Sequence, residues 1–315
     1  MARNDFVTAF APASIGNVAV GFDMLGLAVA KAGDRVAARR ASGSGIRILE
    51  VHAPDGQPHR SLSNRADENT ASIAASALWE QHGEGGAEIV VRKGVPLKSG
   101  MGSSAASAVA AVVAVNALLD TPLHQEKLLP YALAGEKFAS NGLHADNVAP
   151  SLLGGMVFCP SQLLPDVVRI GTPGNVSSVL LHPALEVSTA ESRSALRREV
   201  TMQDWLAQQA YLAGFVSACE QQDIDLMRRC LKDVIIEPQR AASVPCFRAV
   251  QEAALGAGAI GCSLSGSGPA IFALCETGIA AELAMKMEQA CRAEDIACRT
   301  WISPLDAPGA HIVGD

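Results

Sequence analysis

The segment "VPLKSGMGSSAASAVAAVVAVNALL" spans Val95 to Leu119. Ser99, Gly100, Gly102, Ser103 and Ser104 run straight into a long Ala/Val stretch, which predicts a helix from about Ser103 to Leu119. Two readings are open. One is a tight turn before a buried helix of small residues. The other is an anion-binding loop. The first N–H groups of a helix have no intrahelical partner, and that end carries about half a positive charge. Gly100 and Gly102 let a backbone approach an anion closely, and the small Ala105 and Ala106 leave the entrance open.

The rest of the chain bounds what such a loop could serve. Its 315 residues fit one large or two medium domains, and 49% hydrophobic with 18% charged residues predicts a packed globular protein. Only 4% are aromatic, so the core must be built from Ala, Val, Leu and Ile. A net charge of −7 without a Lys/Arg run argues against nucleic acid or acidic lipid as a partner. The eight cysteines form no C-x-x-C pair and read as reduced thiols of a cytoplasmic protein. No signal-peptide pattern or membrane-length apolar run is seen.

Strands are expected at Phe6–Ala11, Ile46–Val51, Ala87–Val91, Val176–Leu181, Ala259–Leu264, Ala270–Leu274, Arg299–Ile302 and Ala310–Val313. Helices are expected at Asp67–Gln81, with acidic residues in the first turn, and at Gln125–Phe138, Gln203–Glu220, Asp225–Val234, Cys246–Leu255 and Ala281–Arg292. The mixture is α+β. Pro160, Pro165 and Pro173 mark a boundary, giving domains 1–165 and 166–315.

Known phosphate motifs narrow the choice. A Walker loop needs Lys after its second Gly, and "GMGSSAA" has none. The dinucleotide pattern fails at Ala105. The hydrolase elbow G-x-S-x-G is absent, and the seven histidines show no i, i+4 zinc spacing. Two other segments stand out: "APASIGNVAVGFDMLGLAV" (Ala11–Val29), with polar residues between apolar strands, and "SLSGSGPAIFAL" (Ser263–Leu274). The second is an ordinary hairpin turn unless something else claims it.

In this order the three segments resemble the superfamily of galactokinase, homoserine kinase, mevalonate kinase and phosphomevalonate kinase, over nearly the whole chain. "ASIGNVAVGFDMLG", "HADNVAPSLLGGM", "STAESRSALR" and "KDVIIEPQR" resemble the homoserine kinases in particular. Lys98 and Met101 depart from the usual loop, and "SIGN" stands where "STAN" or "SSAN" is commoner.

The resemblance implies a two-layered α+β fold, with a ribosomal-protein-S5-like N-terminal domain, a ferredoxin-like C-terminal domain and the active site between them. It implies ATP-dependent phosphorylation of L-homoserine with Mg²⁺, and it leaves a homodimer open. It places the loop Pro96, Leu97, Lys98, Ser99, Gly100, Met101, Gly102, Ser103, Ser104, Ala105 and Ala106 on the ATP phosphates, with Asn69 near the nucleotide; otherwise Asn69 is a helix cap. Ser104 and Glu136 would hold Mg²⁺, which takes oxygen ligands; a Glu near a helix end is electrostatically unfavourable, a cost a metal would explain.

Asn17, Asp23 and His144 would meet the amino-acid end of the substrate, and Arg193 and Arg240 its carboxylate. Sequence alone does not choose Arg193 over Arg197 or Arg198, or separate Arg240 from a pair with Glu237. Asn147 would position the hydroxyl, with Asp146 as base or as orienter of its neighbour. A same-fold kinase for another small alcohol and a non-catalytic sensor are the alternatives. A sensor would be expected to lose Glu136 or the G-S-S loop, and both are present.

Overall fold

The computed structural model describes residues 5–140, 144–197 and 199–314. Arg198 lies outside them. In chain order the elements are β1 (Val7–Gly16), β2 (Leu25–Ala41), β3 (Gly45–His52), α1 (Thr70–His82), β4 (Gly86–Arg92), α2 (Ser103–Asn116), α3 (Leu129–Ser140), α4 (Val148–Leu153), β5 (Met156–Phe158) and β6 (Val168–Ile170). They continue with β7 (Val176–Pro183), α5 (Thr189–Ser194), α6 (Met202–Gln221), α7 (Ile224–Cys230), α8 (Glu237–Arg240), α9 (Phe247–Gly256), β8 (Gly261–Leu264), β9 (Ile271–Glu276), α10 (Ala280–Ala293), β10 (Cys298–Pro304) and β11 (His311–Val313).

Helix α2 answers half of the opening question. It packs against β1 and β2 on one side and α1, α3 and α4 on the others. Of its 14 residues only Ser104 is not buried. A helix covered on all sides has no polar stripe, and Ala and Val allow its neighbours to approach closely. The sheet beneath it runs β11-β1-β2-β4-β3, with β5 pairing β2 and β6 pairing β5. Strands β3 and β4 are parallel, joined through α1. The second sheet runs β10-β7-β9-β8, with every pair antiparallel. Numbered within that sheet the order is 4-1-3-2, the ferredoxin-like arrangement.

Three expectations need correction. Strand β2, 17 residues long, was not foreseen as an element; it spans the sheet, pairing β1, β4 and β5. Helix α1 begins at Thr70, so Asp67 and Glu68 precede its first turn and pair with Arg65 instead. Helix α7 stops at Cys230, four residues before the expected Val234, because Asp233 accepts hydrogen bonds from the Ile235, Ile236 and Glu237 amides and folds the chain into a turn. The sheets also cross the expected 165/166 division: β6 and β11 both join the first sheet. One apolar cluster contains Ile15, Leu25 and Leu27 of the first sheet with Leu180, Phe272 and Trp301 of the second. The two halves are thus packed on a shared core.

Candidate functional site

The "SGSGP" turn between β8 and β9 is claimed by the glycine loop. Ser265 Oγ donates to the Gly100 carbonyl at 2.6 Å, and the Ala270 amide to the Ser99 carbonyl at 3.1 Å. The Gly266 amide donates to the Gly16 carbonyl. The Gly266 carbonyl accepts from Asn17 Nδ2 at 3.2 Å and from Arg240 Nη1 at 2.9 Å. Three segments far apart in sequence are therefore tied at one point, beside a cleft of about 390 Å³.

The loop presents its amides as a helix start should. The first bond into α2 runs from the Ala106 amide to the Gly102 carbonyl, so the amides of residues 103–105 lie ahead of the ladder. Lys98, Gly100 and Gly102 all have positive φ, at 51°, 73° and 68°. The glycines answer to protein packing as much as to an anion. A Cβ on Gly102 would collide with Ser14 Oγ, and one on Gly100 would sit 2.6 Å from the Ser265 carbonyl oxygen. Leu97, Lys98, Ser99, Gly100, Gly102, Ser103 and Ser104 line the cleft, whereas Pro96, Met101, Ala105 and Ala106 do not. Met101, Ala105 and Ala106 are fully buried, their side chains filling the core. Lys98 reaches out to Glu186 at 3.4 Å, an exposed pair of little energetic weight.

Beneath the loop lies a network that sequence reading missed. Lys93, on the strand's exit, is paired with Asp34 of β2, both nearly inaccessible. The Lys93 ammonium also donates to the Ser103 carbonyl and to Ser107 Oγ, each at 2.8 Å. Asp34 Oδ1 accepts the Gly94 and Val95 amides, and Ser107 Oγ donates to Oδ2. All donors of the ammonium are used, so Lys93 pins the loop's entry to the first turns of α2.

Across the cleft, Ser104 Oγ donates to Glu136 Oε2 at 2.7 Å. Glu136 is 8% exposed and lines the cleft with Ser104. Two hard oxygen donors side by side would suit Mg²⁺, which takes oxygen ligands. Asn69 caps α1, accepting from the Ala71 amide at 3.0 Å, and still lines the cleft. The cap accounts for its oxygen, and its Nδ2 donates to the Ser63 carbonyl.

The part of the cleft around Asp23 is built on a strained turn. Asn17, Val18 and Ala19 have φ of 67°, 44° and 58°, and Asp23 of 59°. Such backbone is held only where the surroundings fix it, at roughly 1–3 kcal/mol per residue. Here Asn17 Oδ1 accepts the Asp23 amide, and the Gly21 amide closes on the Asn17 carbonyl. Asp23 takes the Arg193 guanidinium as a fork, at 2.7 and 2.9 Å, and His144 Nδ1 lies 3.5 Å away. Arg193 sits on α5, which Ser188 caps. The Arg193 and Arg240 guanidiniums both lie over the Phe22 ring, 5.3 and 5.2 Å from its centre. Arg240 is 4% exposed, and its Nε has no partner among the described residues. Burial, then the charge of Arg193, lowers its pKa. His144 is lowered mainly by burial.

Asp146 and Asn147 face Ser14 and Asn17. Ser14 Oγ donates to Asn147 Oδ1 at 2.9 Å, which turns Asn147 Nδ2 toward Asp146 Oδ1, 3.4 Å away. Asp146 Oδ2 accepts the Asn17 amide at 3.2 Å. Burial, then the charges of Asp23 and Glu136, pushes the Asp146 carboxyl up to about 7.

One cleft that joins helix-start amides, the Ser104–Glu136 oxygen pair and the Asp23–Arg193–Arg240 charge cluster suits a small-molecule phosphotransferase. Comparison with known proteins agrees. Residues 69–155 match the GHMP kinases N terminal domain and residues 215–293 the GHMP kinases C terminal domain. A homoserine kinase of Xylella fastidiosa is 42% identical over 97% of this chain and 93% of its own length. One of Chlorobium phaeobacteroides is 39% identical over 98% and 99%. The crystal structure of homoserine kinase from Cytophaga hutchinsonii superposes with a TM-score of 0.93 at 39% identity, covering 99% of both chains. The chain belongs to the homoserine kinase branch of the GHMP kinase family.

Proposed function

We propose that this kinase transfers the terminal phosphoryl group of ATP to the side-chain hydroxyl of L-homoserine, giving O-phospho-L-homoserine for threonine synthesis in the cytoplasm. The observation that carries the reading is one cleft, lined by the loop amides at one end and by Asp23, Arg193 and Arg240 at the other. Phosphoryl transfer demands positioning and charge neutralisation more than covalent help. The amides from Ser99 to Ser104 hold the phosphates. Ser104 and Glu136 would hold Mg²⁺, which supplies positive charge to the phosphate oxygens. The substrate ammonium faces Asp23, with Asn17 and His144 beside it, and the carboxylate faces Arg193 and Arg240.

Asn147 Nδ2 donates to the substrate hydroxyl oxygen and sets its line of attack. Asp146 accepts from the Asn17 amide and from Asn147 Nδ2, and we assign it the orienting of Asn147 and the Asn17 turn; the hydroxyl proton leaves with the phosphoryl oxygens. Purified protein with ATP and Mg²⁺ should release ADP with L-homoserine at least ten times faster than with L-serine, L-threonine, mevalonate or galactose. Glu136→Gln should cut that rate by about a hundredfold or more. Equal rates with mevalonate or galactose would point to a kinase for another alcohol, and no ADP with any acceptor would point to a sensor.

A further inference from the structure

The two groups proposed to grip the substrate's ammonium and carboxylate grip each other. We infer that the Asp23–Arg193 pair is a specificity device that only a zwitterion satisfies: each group occupies the place of the other's substrate partner. The inference rests on the proposed placement of homoserine and adds to it a rule for which acceptors are rejected.

The geometry is that of a strong pair. Arg193 Nη1 and Nη2 meet the two Asp23 oxygens at 2.9 and 2.7 Å, a planar two-point contact. Both side chains are partly sheltered, at 24% and 36% exposure, and both line the cleft. The Asp23 backbone is fixed by Asn17. Beside the pair stands a second guanidinium, Arg240, buried and with an Nε that has no partner among the described residues. Two guanidiniums therefore converge at Phe22, and the Asp23 carboxylate forks onto Arg193, while Arg240 donates to the Gly266 carbonyl.

Consider three acceptors. An amino alcohol must compete with Arg193 for Asp23, and success leaves Arg193 without a carboxylate. A hydroxy acid must compete with Asp23 for Arg193, and success leaves Asp23 facing only His144, 3.5 Å away, whose charged form burial disfavours. Truncating one partner of a sheltered charge pair is costly chiefly because the other is left alone. An α-amino acid carries both charges on neighbouring atoms and exchanges one ion pair for two. Its charges therefore contribute together, and the site rejects an acceptor bearing either one by itself.

Two independent grips and a mutually satisfied pair predict opposite signs for one experiment. The kcat/KM is measured with L-homoserine, 3-aminopropan-1-ol and 4-hydroxybutanoate for wild type, Arg193→Gln and Asp23→Asn, with melting temperature and KM for ATP as controls. Wild type should use homoserine at least about a hundredfold better than either analogue. Arg193→Gln should lose about a hundredfold on homoserine yet gain about fivefold on 3-aminopropan-1-ol, because Asp23 is released. Asp23→Asn should gain similarly on 4-hydroxybutanoate. Gains in both variants support the inference. No gain, or a gain in only one, in variants that melt normally and keep their KM for ATP overturns it. Arg193→Met and Asp23→Gly, the latter suited to the left-handed backbone, serve if the first pair does not fold. Absence of wild-type turnover with homoserine would instead defeat the functional reading, so the two failures are told apart.

Discussion

Asp146 shows how one side chain couples the site to stability. Its carboxyl is held near 7 by burial first and by the Asp23 and Glu136 charges second. A raised value means that the folded chain keeps a proton that the unfolded chain releases from about pH 4 upward. The folded protein therefore binds more protons, and stability falls as pH rises from about 4 to about 7. Asp146→Asn cannot ionise and escapes that fall. Unfolding in urea should find the variant gaining about 2–4 kcal/mol on wild type between pH 4 and pH 8; any fixed cost of the new amide cancels in the comparison. A difference independent of pH would show that Asp146 is not held in this way. Turnover of the variant should fall about tenfold, as for a lost orienting contact, whereas a loss of about 10³ or more would identify a base.

At the scale of elements, the Lys93–Asp34–Ser107 network sets where the glycine loop leaves the sheet. Removing one member of a buried pair strands the other charge, so Lys93→Met should cost about 3–5 kcal/mol. It should also raise the KM for ATP more than that for homoserine, because the network's bonds run to the loop's entry at Gly94 and Val95 and to the first turns of α2 at Ser103 and Ser107. Chemical unfolding and paired saturation curves test this; an equal rise in both KM values would mean general damage. None of the three residues was legible in the sequence. Lys93 and Asp34 are 59 positions apart, and each reads locally as a surface charge. The glycine-rich turn and the helix after it were legible, because small residues precede a long Ala/Val run, whereas Glu136 was singled out only through family likeness. Strand β2 was not: "AVAKAGDRVAARRA" has the Ala, Lys and Arg content of a helix and lacks clean alternation. It is a strand because β1 and β4 pair with its two edges and α2 and β10 pack against it.

On the scale of the whole molecule, the site depends on the two halves being locked together. Ser265, Gly266 and Ala270 of the second sheet's hairpin hold Ser99, Gly100 and Asn17 of the first half. A shared apolar cluster runs beneath them. The S-G-S-G-P turn was visible in the sequence, but its role was not, since a hairpin turn does not announce what rests on it. The same holds for Arg193. Family likeness placed it at the substrate carboxylate, and only the structure shows it engaged with Asp23. The central claim is that this joint cleft moves phosphate onto the homoserine side-chain oxygen. Phosphorus NMR of the protein with ATP, Mg²⁺ and L-homoserine tests it most directly. The account predicts a new phosphomonoester signal, split by the side-chain CH₂ protons, growing in step with ADP. ADP accompanied only by inorganic phosphate, or by a signal from an acyl phosphate on the carboxylate, would contradict it.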